Sequence, residues 1–206
     1  VLLAQDAATL DVVSDGRLVL GLGVGGERYQ EFQALGVSLN ERGGRANEAI
    51  EVLKGLWQQP TFSYHGRFFD LENVSLNPRP IQKPHPPLWL AGTNPDTFAK
   101  AGRHGMGMLG FVTATPEEVE ERVAAYKAGI ADAEPLGAFV NDQAAVLLQT
   151  YCAETREEAL ADAEPAITRS AELAAELFLP WAEEGALKGA SSYKYLTEGA
   201  RAGSAQ

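Results

Sequence analysis

The chain has 206 residues, 45% of them hydrophobic and 22% charged, with a formal net charge of -11 at pH 7. This composition predicts an ordinary folded domain. The negative charge argues against a nucleic-acid or anionic-membrane partner, because phosphates are bound by Lys and Arg. No apolar run reaches the roughly 18 residues of a membrane span, and no signal segment opens the sequence. We therefore expect a cytoplasmic protein with no membrane partner.

Hydrophobic periodicity predicts helices and strands that alternate along the chain. Helices are predicted over Val1–Val13 (with Leu3, Ala7, Leu10 and Val13 or Ser14 on one face), Glu41–Trp57, Pro95–His104, Thr115 to about Ile130, and Thr155–Leu179. Strands are predicted over Arg17–Gly23, Leu88–Ala91, Gly107–Val112 and Ala144–Tyr151, with a hairpin formed by Phe62–Tyr64 and Arg67–Leu71. The segment Asn77–Pro87 holds five prolines and is predicted to be irregular. Strands that alternate with helices indicate βαβ units and a parallel sheet.

A glycine-rich motif, GLGVGG, ends the first predicted strand. Gly21, Gly23 and Gly26 satisfy the G-x-G-x-x-G spacing of a Rossmann dinucleotide site. In that fold the helix opens at once, so that its N-terminus meets the pyrophosphate. Here the long helix begins only at Glu41, which disfavours the Rossmann alternative. The other interpretation from the residues alone is a flexible turn between strand and loop.

A second motif, LWLAGTNPDTF, joins the strand Leu88–Ala91 to a helix that begins near Pro95. Backbone N–H groups and a short hydroxyl at a helix N-terminus form an anion site. The alternative is that Thr93 or Asn94 only caps the helix. Asp96 adds a negative charge to the first turn, which weakens anion binding.

The remaining polar candidates are interpreted as structural. They are His65 at the hairpin turn, His85 among prolines, His104 as a helix C-cap, and the surface group of Glu31, Glu41, Arg42 and Arg45. The single cysteine, Cys152, lies in the apolar run AAVLLQTYCA and is expected to be a small buried side chain. It cannot form an internal disulfide, and the sequence has no zinc-ligand spacing, so no metal site is expected.

The run from Val12 to Gly110 carries both motifs, and it resembles the middle of luciferase-like flavin-dependent monooxygenases. That family is built on a TIM-type (β/α)8 barrel. The resemblance continues more loosely from Thr115 to Leu196. It implies an α/β fold in which residues 1–206 form a single incomplete barrel domain, roughly strands four to seven with their helices. A naturally smaller α/β domain is the alternative.

The resemblance also implies a cofactor site. Gly21 and Gly23 would lie at the barrel mouth, where missing Cβ atoms let a planar flavin approach the backbone. Gly92, Thr93 and Asn94 occupy the positions of the turn that binds the flavin or deazaflavin phosphate in the family. They would therefore bind that phosphate here, with Thr97 as a possible further contact. Luciferases proper have Cys and Arg where this chain has Gly23 and Val24, which argues against bioluminescence.

The function implied by the resemblance is oxygenation of a small organic substrate by reduced FMN and dioxygen, with the FMN supplied by a separate flavin reductase. A deazaflavin-dependent hydride-transfer enzyme on the same scaffold is one alternative, and a non-catalytic flavin-binding remnant is another. The catalytic residues stay unknown, because the family's candidates are expected on strands that this chain lacks. A homodimer is expected from the family.

Overall fold

The structure is a computed structural model, and it describes residues 1–25, 29–111, 116–147 and 150–183. Several predictions fall outside the described residues: Gly26, Val112, the helix start at Thr115, and the looser resemblance over residues 184–196. Contacts group the described residues into two compact units. The first is drawn from Val1–Gly26 and Phe32–Leu148, and the second from Glu27–Glu31 and Gln149–Gln206. The single-domain organisation stays a prediction.

The predicted alternation of helices and strands is confirmed. The helices are α1 (Leu2–Val13), α2 (Tyr29–Ala34), a short 3-10 helix (Leu39–Glu41), α3 (Arg42–Gln58), α4 (Pro95–Arg103), α5 (Pro116–Ala131) and α6 (Arg156–Glu183). The strands are β1 (Leu20–Leu22), β2 (Phe62–His65), β3 (Asp70–Val74), β4 (Leu88–Gly92), β5 (Gly107–Phe111) and β6 (Ala144–Leu147). The segment between β3 and β4 is irregular, as its prolines predict.

Four of these strands form one parallel sheet in the order β1-β4-β5-β6, and β2 and β3 form an antiparallel hairpin. Leu22 pairs with Leu90, Leu90 with Met108, and Met108 with Ala144. These are the four core strands that the sequence predicts. Their order follows the chain, as it does for consecutive strands of a (β/α)8 barrel.

The two faces of the sheet differ in what covers them. Leu88, Leu90 and Met108 are buried in the core on the helix side, where the Phe98 ring of α4 lies against Gly110. The opposite face, here called the open face, carries alternate residues of the same strands: Gly21, Trp89, Ala91, Gly107, Leu109, Ala145 and Leu147. Leu109 and Leu147 are exposed to solvent on this face. In a closed barrel the corresponding face is the packed interior.

Helices α4 and α5 pack backbone against backbone through two glycines. A Cβ added at Gly102 would collide with the Tyr126 carbonyl oxygen and would lie 2.8 Å from the Ile130 nitrogen. A Cβ added at Gly129 would collide with the Ala99 carbonyl oxygen. Only residues without a side chain permit this approach. The contact fixes α4 and with it the turn that follows β4.

The buried face of α1 only partly matches the predicted apolar face. Ala7 of that face is buried, together with Ala4, Ala8 and Asp11, whereas Leu3 and Leu10 are exposed, so the prediction is wrong for the two leucines. The reason is that α1 packs closely through small residues, and Trp57 Nε1 donates to the Ala4 carbonyl at 3.0 Å. The Asp11 carboxylate accepts from the Gln82 backbone N–H at 2.9 Å and from Gln82 Nε2 at 2.6 Å. These bonds tie α1 to the proline-rich segment before β4.

The glycine contact between α4 and α5 can be tested by stability. We expect Gly129→Ala to lower the free energy of unfolding by about 1–3 kcal/mol, because the added methyl meets the backbone of α4. Gly43→Ala is the matched control, since a Cβ there meets nothing within 4 Å. It should be neutral or stabilising by up to about 1 kcal/mol through helix propensity. Urea unfolding measures both, and equal effects of the two substitutions would contradict the close packing.

Candidate functional site

The glycine motif and the phosphate-turn motif lie at the same edge of the parallel sheet. Gly23 directly follows β1, and Gly92 is the last residue of its neighbour β4. Carboxyl ends of parallel strands meet at one edge, and in barrels that edge carries the active site. The structure therefore brings together the two sequence-predicted parts of the cofactor site.

The two glycines at the end of this motif differ in their surroundings. Gly21 lies within β1, where an added Cβ would come within 3.0 Å of Leu109 Cδ1, whereas a Cβ at Gly23, just after the strand, would meet no described residue within 4 Å. The described residues thus leave space beside Gly23 but not beside Gly21. The open space is available to a flat ligand that approaches the backbone.

The turn after β4 is closed by a side-chain cap. Asn94 is the N-cap of α4, and its Oδ1 accepts from the Thr97 backbone N–H at 2.8 Å and from Thr97 Oγ1 at 3.0 Å. The Thr97 methyl packs on Gly92 so closely that a Cβ at Gly92 would collide with it. The capping function weighed for Asn94 from sequence is therefore present. Thr97 uses its hydroxyl proton within the turn.

Several donors of this turn have no acceptor among the described residues, and they include the Thr93 hydroxyl, Asn94 Nδ2 and the Asp96 backbone N–H. They stand at the positive end of the α4 dipole, an arrangement that suits a phosphate. The Asp96 side chain is exposed in the first turn of the helix. Its negative charge opposes that of a phosphate. Binding of a phosphate by Gly92, Thr93 and Asn94, with Thr97 as a further contact, stays a prediction.

Trp89 is a residue of the open face that sequence reasoning did not single out. Its indole lies against Gly107, and its register partner in β1 is Gly21. The indole Nε1 is buried and has no hydrogen-bond partner among the described residues. The sequence LWLAG could have indicated this residue, because successive side chains of a strand point to opposite faces. Trp89 and Ala91 therefore share one face, and Leu88 and Leu90 share the other.

The histidines lie away from the carboxyl edge. His65 is exposed on the hairpin, where its Nδ1 lies 2.6 Å from Asp70 Oδ1, and this hydrogen bond raises the pKa of His65. His85 is buried in the loop that leads into β4. His104 is the C-cap of α4, and burial together with Lys100 and Arg103 lowers its pKa. The structural interpretation of the histidines is consistent with these positions.

The predicted surface group at Glu41, Arg42 and Arg45 makes contacts at the start of α3. Arg45 and Glu41 form an ion pair at 3.3 Å, and Arg42 Nη1 donates to the Leu39 carbonyl at 2.8 Å. These contacts tie down the start of α3, as predicted.

Cys152 is exposed, so its predicted burial is wrong. The reason is that Cys152 lies in irregular chain shortly before α6, and not in a buried strand.

The described residues include no helix that is both long and apolar enough to span a bilayer. Nor do they contain a group of three or more His, Cys, Asp or Glu side chains placed to hold a metal ion.

Comparison with known proteins identifies the family. The profile described as "Luciferase-like monooxygenase" matches residues 1–205, and the chain therefore belongs to this family of flavin-dependent enzymes. The monooxygenase RslO1 from Streptomyces bottropensis has a similar crystal structure, with a TM-score of 0.68 and 28% identity over 82% of this chain and 51% of that one. The α/β fold with a partial barrel is thus confirmed, and the Rossmann alternative is set aside.

Relatives of known activity fall into two cofactor classes. The FMNH(2)-dependent dimethylsulfone monooxygenase of Pseudomonas putida is 38% identical over 45% of this chain and 26% of its own. The oxygenase component of the flavin-dependent trigonelline monooxygenase of Acinetobacter baylyi is 29% identical over 76% and 43%. The F420-dependent glucose-6-phosphate dehydrogenase of Kineococcus radiotolerans is 34% identical over 52% and 32%. The chain spans less than half the length of these relatives.

The packing of Thr97 on Gly92 gives a prediction for the turn. Gly92→Ala should lower the free energy of unfolding by about 1–3 kcal/mol, because the new methyl displaces Thr97. Thr97→Ser keeps the hydroxyl that bonds Asn94 and removes the obstructing methyl. In a double-mutant cycle we expect Thr97→Ser to recover part of the loss, with a coupling of at least about 0.5 kcal/mol. Additive effects of the two substitutions would show that this contact does not govern the turn.

Proposed function

We propose that the chain carries the cofactor-binding part of a flavin-dependent monooxygenase that uses reduced FMN and dioxygen on a small organic substrate. The observation that carries the proposal is the carboxyl edge of the sheet, where open space at Gly23 adjoins the donors of the turn at Gly92–Asn94. Family membership supplies the chemistry. When bound, reduced FMN would supply the electrons that activate dioxygen, and the protein positions and shields it.

The residues present fit the phosphate and the ring of such a cofactor. The Thr93 hydroxyl, Asn94 Nδ2 and the Asp96 N–H would donate to phosphate oxygens at the helix N-terminus. Thr97 would hold Asn94 in place through its two bonds to Oδ1. Gly21 and Gly23 would let the ring system lie close to the backbone of β1. No residue of this chain is assigned as a catalytic acid or base.

A deazaflavin-dependent hydride transfer is the second candidate, and Asp96 is the feature that favours it. FMN ends in a phosphomonoester that is largely doubly charged at neutral pH. F420, the deazaflavin coenzyme, carries its phosphate as a singly charged diester. The Asp96 carboxylate in the first turn repels a dianion more strongly than a monoanion. A relative that uses F420 belongs to the same family.

The remaining functional predictions concern partners. A separate flavin reductase is expected, and the naming of one relative as an oxygenase component supports that expectation. A cytoplasmic location, a homodimer and the absence of a nucleic-acid partner stay predictions. The substrate class that we propose is a small organic molecule.

The test is a parallel fluorescence titration of the gene product that contains this chain, with FMN and with F420. Tight binding of FMN alone, followed by dioxygen uptake in the presence of a reductase, would support the monooxygenase. Tight binding of F420 alone would replace it with hydride transfer. Binding of FMN without dioxygen uptake or turnover would favour the non-catalytic remnant. Binding of neither would refute the assignment of the turn.

Asp96 gives a prediction with a defined sign. Asp96→Asn should tighten FMN binding roughly two- to fivefold at low salt, because it removes about 0.3–1 kcal/mol of repulsion at the helix N-terminus. The gain should shrink as salt is added. Asp15→Asn is the matched control, because it changes the net charge equally in the exposed turn after α1, where a positive φ suits Asn. Equal gains from both variants would show that only net charge matters.

A further inference from the structure

His85 is buried at the amino edge of the parallel sheet, opposite the candidate cofactor site. Its side chain is 2% exposed and precedes β4 by three residues. The ring centroid lies 6.0 Å from that of Trp57 at the end of α3 and 5.0 Å from that of Phe139. Phe139 belongs to the loop of residues 132–143, which leads from α5 into β6. The imidazole therefore joins three separate segments of the first unit.

Two hydrogen bonds fix the proton of this imidazole. Nδ1 lies 2.8 Å from the Pro86 carbonyl oxygen, which can only accept. Nε2 lies 2.9 Å from the Ala138 backbone nitrogen, whose N–H can only donate. The ring must therefore be neutral, with its proton on Nδ1. A second proton on Nε2 would face the Ala138 N–H and remove that bond.

The ring has little room to move away from such a conflict. A Cβ added at Gly137 would lie 3.2 Å from both Cε1 and Nε2 of His85, so the loop backbone is packed directly on the ring edge. The loop is held independently on both sides of this contact. The Leu136 N–H donates to the His104 carbonyl at 3.1 Å, and the Asn141 N–H donates to the Gly105 carbonyl at 2.8 Å. Loss of the His85 bond would thus free residues 137–140 between two anchors.

We propose that His85 is a pH-sensitive clasp, which holds residues 137–140 against the amino edge of the sheet while it is neutral and releases them when Nε2 is protonated. The clasp would act on the loop that sets the start of β6, an outer strand of the four-stranded sheet.

The surroundings of the ring favour the neutral imidazole. Burial lowers the pKa of His85, and the Lys54 ammonium of α3 lowers it further, while the bond to the Pro86 carbonyl opposes them. The groups that meet the ring from the loop, Gly137, Ala138 and Phe139, are uncharged. The closed clasp is thus fully stable above the pKa of a solvent-exposed histidine, about 6.5. Its stability falls as the pH drops from there towards the lowered pKa of the closed state.

Hydrogen exchange of the Ala138 amide tests the proposal directly. Its protection factor in the wild-type chain should fall roughly tenfold for each pH unit below about 6.5, until the lowered pKa is reached. The Asn141 amide should keep its protection over the same range, because it is bound to Gly105. His85→Gln offers one donor and one acceptor but does not titrate, so it should remove the pH dependence at Ala138. His65→Gln and His104→Gln are matched controls and should retain it.

Several results would overturn the clasp. One is protection of the Ala138 amide that does not change with pH. Another is a parallel loss of protection at Asn141, which would indicate global unfolding. A slope that disappears in His104→Gln would assign the effect to the wrong histidine. If His85→Gln does not fold, nitrogen-15 NMR of the labelled wild-type protein tests the proposal by identifying which ring nitrogen of His85 carries the proton. The proposal requires a protonated Nδ1 and a bare Nε2 in the His85 ring at about pH 8, and the opposite tautomer would refute it.

Discussion

Strand β4 is the element from which the rest of the first unit takes its position. It is hydrogen-bonded to β1 on one side and to β5 on the other, and its five residues carry no charged side chain. Leu88 and Leu90 enter the core, while Trp89 and Ala91 face the open side. Helix α4 begins three residues after the end of the strand. Three residues before the start of the strand lies His85. Both the candidate cofactor site and the buried histidine are therefore placed by one apolar strand.

The turn after β4 serves the helix and the proposed ligand with different atoms of the same residues. The oxygen of the Asn94 amide is used by Thr97, which leaves the amide nitrogen in a fixed direction. An N-cap of this kind stabilises a helix by about 1 kcal/mol. It also orders a side chain before a ligand arrives, so that less conformational entropy is lost on binding. The Asp96 carboxylate in the first turn opposes an anion, and in the proposed site the balance between these two effects would set which phosphate binds better.

Much of the fold could be predicted from the sequence, because strand and helix periods are strong in the segments that pack. The strands at Leu88 and Gly107 are within one residue of their predicted ends where the structure describes them. Prediction failed where a tertiary contact decides. The buried face of α1 is set by the contact of Trp57 with Ala4 and by the hydrogen bond between Gln82 and Asp11. A hydrophobic pattern reveals neither contact. Likewise, the commitment of the Thr97 hydroxyl to Asn94 depends on a turn geometry that residue types do not specify.

The two edges of the sheet differ chemically because all four strands run the same way. At the carboxyl edge a strand leads into the start of a helix, where unpaired N–H groups attract an anion. At the amino edge a helix ends before the next strand, and its last carbonyls need donors. The loop before β6 supplies them: Glu134 N–H donates to the Arg103 carbonyl, and Leu136 N–H donates to that of His104. The Ala138 N–H, which has no helix carbonyl to meet, is bound by His85 instead. An imidazole is thus the acceptor for an N–H of this loop that is bound to no backbone carbonyl, and it is an acceptor that protonation can remove.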